Sequence, residues 1–181
     1  MPDSDICFTP ATEQARMVRD GEISAVELMK AHLDQIGRVN PSVNAIVTLV
    51  ADEALASAIE ADHGQSHGDE LGPLHGLPAG IKDLVATRNI RTTMGSPIFA
   101  DNVPASDAVI VSRMKSAGAI VIGKTNTPEF GAGSQTFNQV FGATLNPYDT
   151  SRTCGGSSGG SGVGLACGMF STTVGTDLGG S

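Results

Sequence analysis

The segment Gly155-Gly156-Ser157-Ser158-Gly159-Gly160-Ser161-Gly162, continued by Val163 to Thr173 and closed by Gly175-Thr176-Asp177-Leu178-Gly179-Gly180-Ser181, is not a linker. A Gly/Ser linker is polar throughout, whereas Val163 to Phe170 is apolar, as a buried helix between two tight glycine loops would be. Of the 23 glycines in the chain, ten lie between Gly155 and Gly180. Each loop carries a serine, and glycine removes the Cβ that would hold backbone N–H groups away from a bound molecule. Serines beside converging N–H groups suit acyl transfer, which needs a nucleophile and donors for the oxyanion.

A nucleophilic serine needs a base. Gly155-Gly-Ser157-Ser-Gly159 fits GxSxG, but that hydrolase arrangement requires a histidine after the serine, and none follows His75. His32, His63, His67 and His75 precede the segment and read as solvated surface imidazoles. Lys82 remains, at the end of Leu77-Pro-Ala-Gly-Ile-Lys-Asp-Leu84 and flanked by Ile81, Leu84 and Val85. Burial there would disfavour the ammonium and bring its pKa from about 10.4 toward neutrality; the alternative is a strand-end lysine paired with Asp83. Gly118-Ala-Ile-Val-Ile-Gly123-Lys124-Thr125 matches the phosphate-loop pattern, yet Ala-Ile-Val-Ile is a buried strand and Thr125 leads into Asn-Thr-Pro rather than a helix. It reads as a core strand ending in a turn.

Upstream, Thr9-Pro10 opens a helix to Asp20, stopped by Gly21, and Ser24 with Glu27 has capping-box spacing for a second, with Leu28, Ala31 and Ile36 on one face and Asn40-Pro41 as its stop. Asn44 to Val50 predicts a strand, Asp52 to Asp62 a helix, and His63 to Pro73 an exposed loop. From Leu74 short apolar runs alternate with Gly and Pro. Strands are expected at Ala79 to Ile81 and Ala119 to Ile122, and a helix at Asp107 to Ala117 capped by Ser106, burying Val109, Ile110 and Met114 and ending at Gly118. This is α/β texture, and no linker or repeat divides residues 1–181, so one domain is expected.

Composition excludes other classes. With 181 residues, 40% hydrophobic and 17% charged, the chain is globular. Nineteen acidic against eleven basic residues give a net charge of -8, which offers nothing to nucleic acid or anionic lipid. Cys7, Cys154 and Cys167 are an odd number without metal-ligand spacing, and the N-terminus MPDSDICFTP carries no export signal, so a cytoplasmic protein without metal or cofactor is expected.

Taken together, Gly76-Leu-Pro-Ala-Gly-Ile-Lys82-Asp83, Gly123-Lys-Thr-Asn-Thr-Pro-Glu-Phe130, Phe141-Gly-Ala-Thr-Leu-Asn-Pro-Tyr148, the Gly155 block and Gly175 to Ser181 resemble the amidase signature enzymes, serine hydrolases with a Ser–cis-Ser–Lys triad. The resemblance covers about Leu74 to Ser181 and implies a mixed, twisted β-sheet surrounded by helices, here incomplete, because the chain stops at the nucleophile. It implies Ser181 as nucleophile, Ser157 as the cis-serine bridge and Lys82 as base. The N–H groups of Leu178, Gly179, Gly180 and Ser181 would form the oxyanion hole, Ser158 would support Lys82, Asp177 would brace the loop, and Gly131 to Ser134 would line the pocket. Cys154 stands where many relatives have proline and reads as a small filler rather than a nucleophile. The function implied is hydrolysis of a small-molecule carboxylic amide, with a homodimer open to the full-length enzyme. The alternatives are a glutaminase-type subunit of a tRNA-dependent amidotransferase, from which Thr127-Pro128-Glu129-Phe130 points away, and a non-catalytic interaction module.

Overall fold

The computed structural model describes residues 6–181, so the acidic positions 1–5 that weighed against an export signal lie outside the described residues. Helices α1 (Ala11–Arg19) and α2 (Ala25–Val43) lead into β1 (Ile46–Leu49) and α3 (Ala51–His67). Then come β2 (Pro78–Lys82), α4 (Val109–Ser116), β3 (Ile120–Thr125), the short strands β4 (Phe137–Asn138), β5 (Gly142–Ala143), β6 (Leu145–Asn146) and β7 (Asp149–Thr153), helix α5 (Gly159–Ala166) and β8 (Thr172–Val174). The main sheet has the order β1-β3-β2-β8; β2 runs parallel to both neighbours and β1 antiparallel to β3, the mixed sheet expected. Among the described residues no helix is long and apolar enough to cross a membrane.

The sheet is covered on both faces, which is why Pro-Ala-Gly-Ile-Lys in β2 is buried at every position. On one side Ile120 and Ile122 pack with α2, α3 and α5 through Leu28, Met29, Ile36, Ala54, Ala58 and Val163. On the other, Ile81, Val121 and Val174 pack with Val111 of α4. Between Val121 and Gly123 the register with β2 slips by one residue, so that Gly123 sits beside Gly80, Lys124 beside Ile81 and Thr125 beside Lys82. A bulge of this kind re-aims every side chain after it. Here it places Thr125 on the α5 side, 2.7 Å from the Ser161 hydroxyl, and Lys124 on the opposite side.

Several local expectations hold and several are corrected. Ser24 and Glu27 form both bonds of the capping box, at 3.0 and 2.8 Å. Pro10 is the residue before α1 rather than its first turn, and no side chain caps that end. Helix α2 runs through Pro41 to Val43, and beyond its end the Asn40 carboxamide collects the Ala45 and Ile46 N–H groups and secures the exit. Helix α3 continues to His67, so the expected loop begins only at Gly68, whose φ of 82° ends the helix. In α4 the buried residue is Val111; Val109 and Ile110 are exposed, since the helix starts after Ala108 and not at Ser106. Helix α5 starts at Gly159, four residues before the apolar run, and Phe170 lies beyond its end.

Candidate active site

Lys82 is the last residue of β2, fully buried and turned toward the start of α5. Its Nζ lies 2.7 Å from Ser157 Oγ, 3.0 Å from Ser158 Oγ and 2.9 Å from Thr176 Oγ1. Burial lowers its pKa to about 8, against the opposing charge of Asp177. Asp83, its neighbour in sequence, faces away and accepts from the Thr93 amide and hydroxyl, so the two do not pair.

Ser157 follows a cis peptide bond from Gly156, Ser158 precedes α5, and the N–H groups of both meet at one point. That point is Ser181 Oγ, which accepts from Ser157 N at 2.7 Å and Ser158 N at 3.0 Å and lies 2.6 Å from Ser157 Oγ. Two N–H donors occupy both lone pairs of the Ser181 oxygen, so its own hydrogen is free to point at Ser157 Oγ, the nearer of two hydroxyls, Ser158 Oγ lying at 3.2 Å. The Ser157 hydrogen is then directed at Lys82, and the three groups form a line along which a proton can pass from Ser181 to the amine.

Asp177 Oδ1 accepts from Gly180 N at 2.6 Å and Ser181 N at 2.8 Å, so it braces the last loop. The amides of Ser181 and Gly180 hold its carboxyl below the usual range. Of the four amides expected at the oxyanion hole, those of Gly180 and Ser181 are turned to Asp177 Oδ1, and that of Gly179 also faces its carboxylate. Leu178 and Gly179 line the cavity that opens over Ser157 and Ser181, about 490 Å³ in volume, together with Leu84, Phe130, Gly131, Gly133 and Ser134. Gly131 has φ of 70°, and a Cβ there would fall 2.9 Å from the Leu84 side chain and 3.9 Å from Ser157 Oγ.

The glycines of the first loop serve packing more than access. A Cβ at Gly159 would meet Thr136 Oγ1 at 2.2 Å, one at Gly160 the Asn126 backbone at 2.3 Å, and one at Gly164 the Phe170 ring at 2.2 Å. Thr136 donates to Gly155 O and accepts from Gly159 N, which pins the loop to the chain before β4. Neither Thr136 nor Thr176 is marked by the sequence; Thr176 lies inside the glycine-rich segment, but a lone threonine carries no spacing that singles it out. Cys154 does not line the cavity, and burial pushes its thiol up, away from the thiolate. The four histidines lie elsewhere. His32, expected at the surface, is buried with Nδ1 2.9 Å from Gly168 O, and burial lowers its pKa to about 4.

The chain matches the family described as Amidase over residues 27–181. It is 47% identical over 180 residues to an indoleacetamide hydrolase of Bradyrhizobium diazoefficiens, covering 99% of this chain and 34% of that protein. It is 44% identical over 178 residues to a glutamyl-tRNA(Gln) amidotransferase subunit of Acidothermus cellulolyticus, covering 98% and 35%. Among solved structures, a fatty acid amide hydrolase superposes over the whole chain and 32% of its own length with a TM-score of 0.94 and 32% identity. A structure described as an amidase gives a TM-score of 0.87 at 32% identity over 93% of this chain and 38% of its own. The chain thus spans about a third of the length of these relatives. With 155 of its 181 residues inside one family match and its sheet and helices superposing on solved amidases, the chain belongs to the amidase signature family.

Proposed function

We propose that this chain is the N-terminal part of a single amidase domain that hydrolyses a carboxylic amide to an acid and an amine or ammonia. The observation that supports this most is the unbroken line from Lys82 Nζ through Ser157 Oγ to Ser181 Oγ, at 2.7 and 2.6 Å. Neutral Lys82 accepts the proton of Ser157 as Ser157 accepts that of Ser181, and the Ser181 oxygen attacks the amide carbonyl carbon. The Ser157 and Ser158 N–H groups at the start of α5 stabilise the negative charge that grows on Ser181 Oγ before the bond forms. The C–N bond then breaks, the proton returns along the same line to the leaving nitrogen, and water releases the acyl group from Ser181 by the same steps. The carbonyl oxygen lies against the 178–181 loop, which lines the cavity and supplies the oxyanion donors. Ser158 and Thr176 hold the Lys82 amine in line.

The test is trapping. The protein expressed from its complete reading frame is given the aryl amide (anilide) and the primary amide of one carboxylic acid, with hydroxylamine present. An acyl-enzyme yields hydroxamate at the expense of acid, at a ratio independent of the leaving amine. Acid release with no hydroxamate, or a ratio that follows the leaving group, contradicts the reading. The identity with a subunit of the glutamyl-tRNA(Gln) amidotransferase carries a second reading, a glutaminase working inside an assembly. That reading predicts hydrolysis of glutamine and none of the aryl amide.

A further inference from the structure

The lysine of the coincidental phosphate-loop pattern has a different place in the molecule. Lys124 is fully buried, and its Nζ lies 2.6 Å from Val85 O, 2.9 Å from Thr87 Oγ1 and 2.7 Å from Thr92 Oγ1. Both threonine hydrogens are already committed, Thr87 to Val85 O and Thr92 to Ile90 O. None of the three partners can therefore donate to Lys124, which must supply all three hydrogens as an ammonium. Its counter-charge is Asp83 Oδ1 at 4.0 Å, a buried oxygen with no hydrogen-bond partner of its own. Lys82 differs: although the Thr176 carbonyl at 3.3 Å only accepts, the Ser157 and Thr176 hydroxyls beside it are free to turn a hydrogen toward the amine.

The three acceptors around Lys124 belong to one segment, residues 84–96. Lys124 grips it at Val85, Thr87 and Thr92; Asp83 grips it through the Thr93 amide at 3.1 Å and hydroxyl at 2.5 Å, and through its own carbonyl to Met94 N at 2.9 Å. Both ends of the segment hold the cavity wall. Met94 O accepts from Phe130 N at 2.8 Å, Ser96 Oγ donates to Glu129 at 2.6 Å, and Leu84 stands against Gly131. Met94 and Phe130 both have φ in the left-handed region, at 55° and 53°, a conformation that side chains other than Asn and Gly resist and that surrounding bonds must hold.

We propose that Lys124 and Asp83 are positioning residues, a buried ionic strut that holds segment 84–96 and, through it, the 129–131 turn against Ser157. As an account of substrate positioning this rests on the amidase reading; as an account of what holds the wall it does not. Two measurements keep these apart. Amide hydrogen exchange in Lys124→Met and in Asp83→Asn is expected to show protection lost at 84–96 and at 129–131 together, with β2, β3 and α5 still protected. On an amide substrate the same variants are expected to raise KM on the order of tenfold or more while kcat changes less, because the Lys82 line is untouched and only the wall moves. Retained protection at 84–96 overturns the strut, and so does loss spread evenly over the molecule in both variants, which would make the pair an ordinary part of the core. Selective loss of protection with KM unchanged overturns the positioning role. Absence of all amide hydrolysis in the unaltered protein counts against the amidase reading and leaves the exchange result to decide the strut.

Discussion

At the scale of single residues, the proposed site is framed by two buried lysines that differ in what surrounds them. Burial lowers both to about 8. The hydroxyls around Lys82 can offer it a hydrogen, so its neutral form is accommodated, whereas the partners of Lys124 accept only. In the proposed mechanism the base form of Lys82 takes the proton, so kcat should rise as pH increases through about 8 and level off above it. A profile flat from neutral to alkaline pH would remove Lys82 as the base. Lys82→Ala in a folded protein should lower kcat by about 10²–10⁴-fold and abolish that inflection, measured on one amide across the same pH range. Lys82 and the serines were legible because lysine, glycine and serine stand in an unusual pattern. Thr176 and Thr136 were not, since their work depends on contacts across the fold.

At the scale of elements, the glycines divide by what lies beside them. Gly37 is inside α2 with open space where a Cβ would go, so Gly37→Ala should stabilise the protein by about 0.4–1 kcal/mol in denaturant unfolding. Gly164 in α5 faces the Phe170 ring, and Gly164→Ala should destabilise it by about 1–3 kcal/mol. Equal effects of the two would contradict the packing described. His32 ties α2 to the Gly168 carbonyl, and its pKa is lowered from 6.5 to about 4. The unfolded chain therefore binds a proton that the folded one refuses, and stability should fall as pH drops from about 6.5 to 4, by ~3 kcal/mol. His32→Gln should flatten that slope; an unchanged slope would place the acid sensitivity elsewhere. Helix starts with a side-chain cap, such as Ser24, could be read from local chemistry alone. The ends of α2 and α3 and the buried face of α4 could not, because Asn40 acts across the exit of α2 and α4 takes its orientation from the sheet beneath it.

At the scale of the molecule, the sheet brings together groups that are far apart in the chain. The end of β2 supplies Lys82, the loop into α5 supplies Ser157 and Ser158, and the segment after β8 supplies Thr176, Asp177 and Ser181, all on one side of the sheet. The parallel pairing of β2 with β8 sets that convergence, and neither strand announces its partner in sequence. Alternating apolar runs and punctuation were enough for the α/β class; the strand order and the bulge in β3 were not, since both depend on long-range pairing. The central claim is that Ser181 is the nucleophile, activated through Ser157 by Lys82. Its most direct test is a fluorophosphonate probe on the protein expressed from its complete reading frame, with the modified peptide identified by mass spectrometry. The account predicts one label on Ser181, absent in Ser181→Ala and formed far more slowly in Lys82→Ala; a label on Ser157 or Cys154, or unchanged labelling in Lys82→Ala, would contradict it.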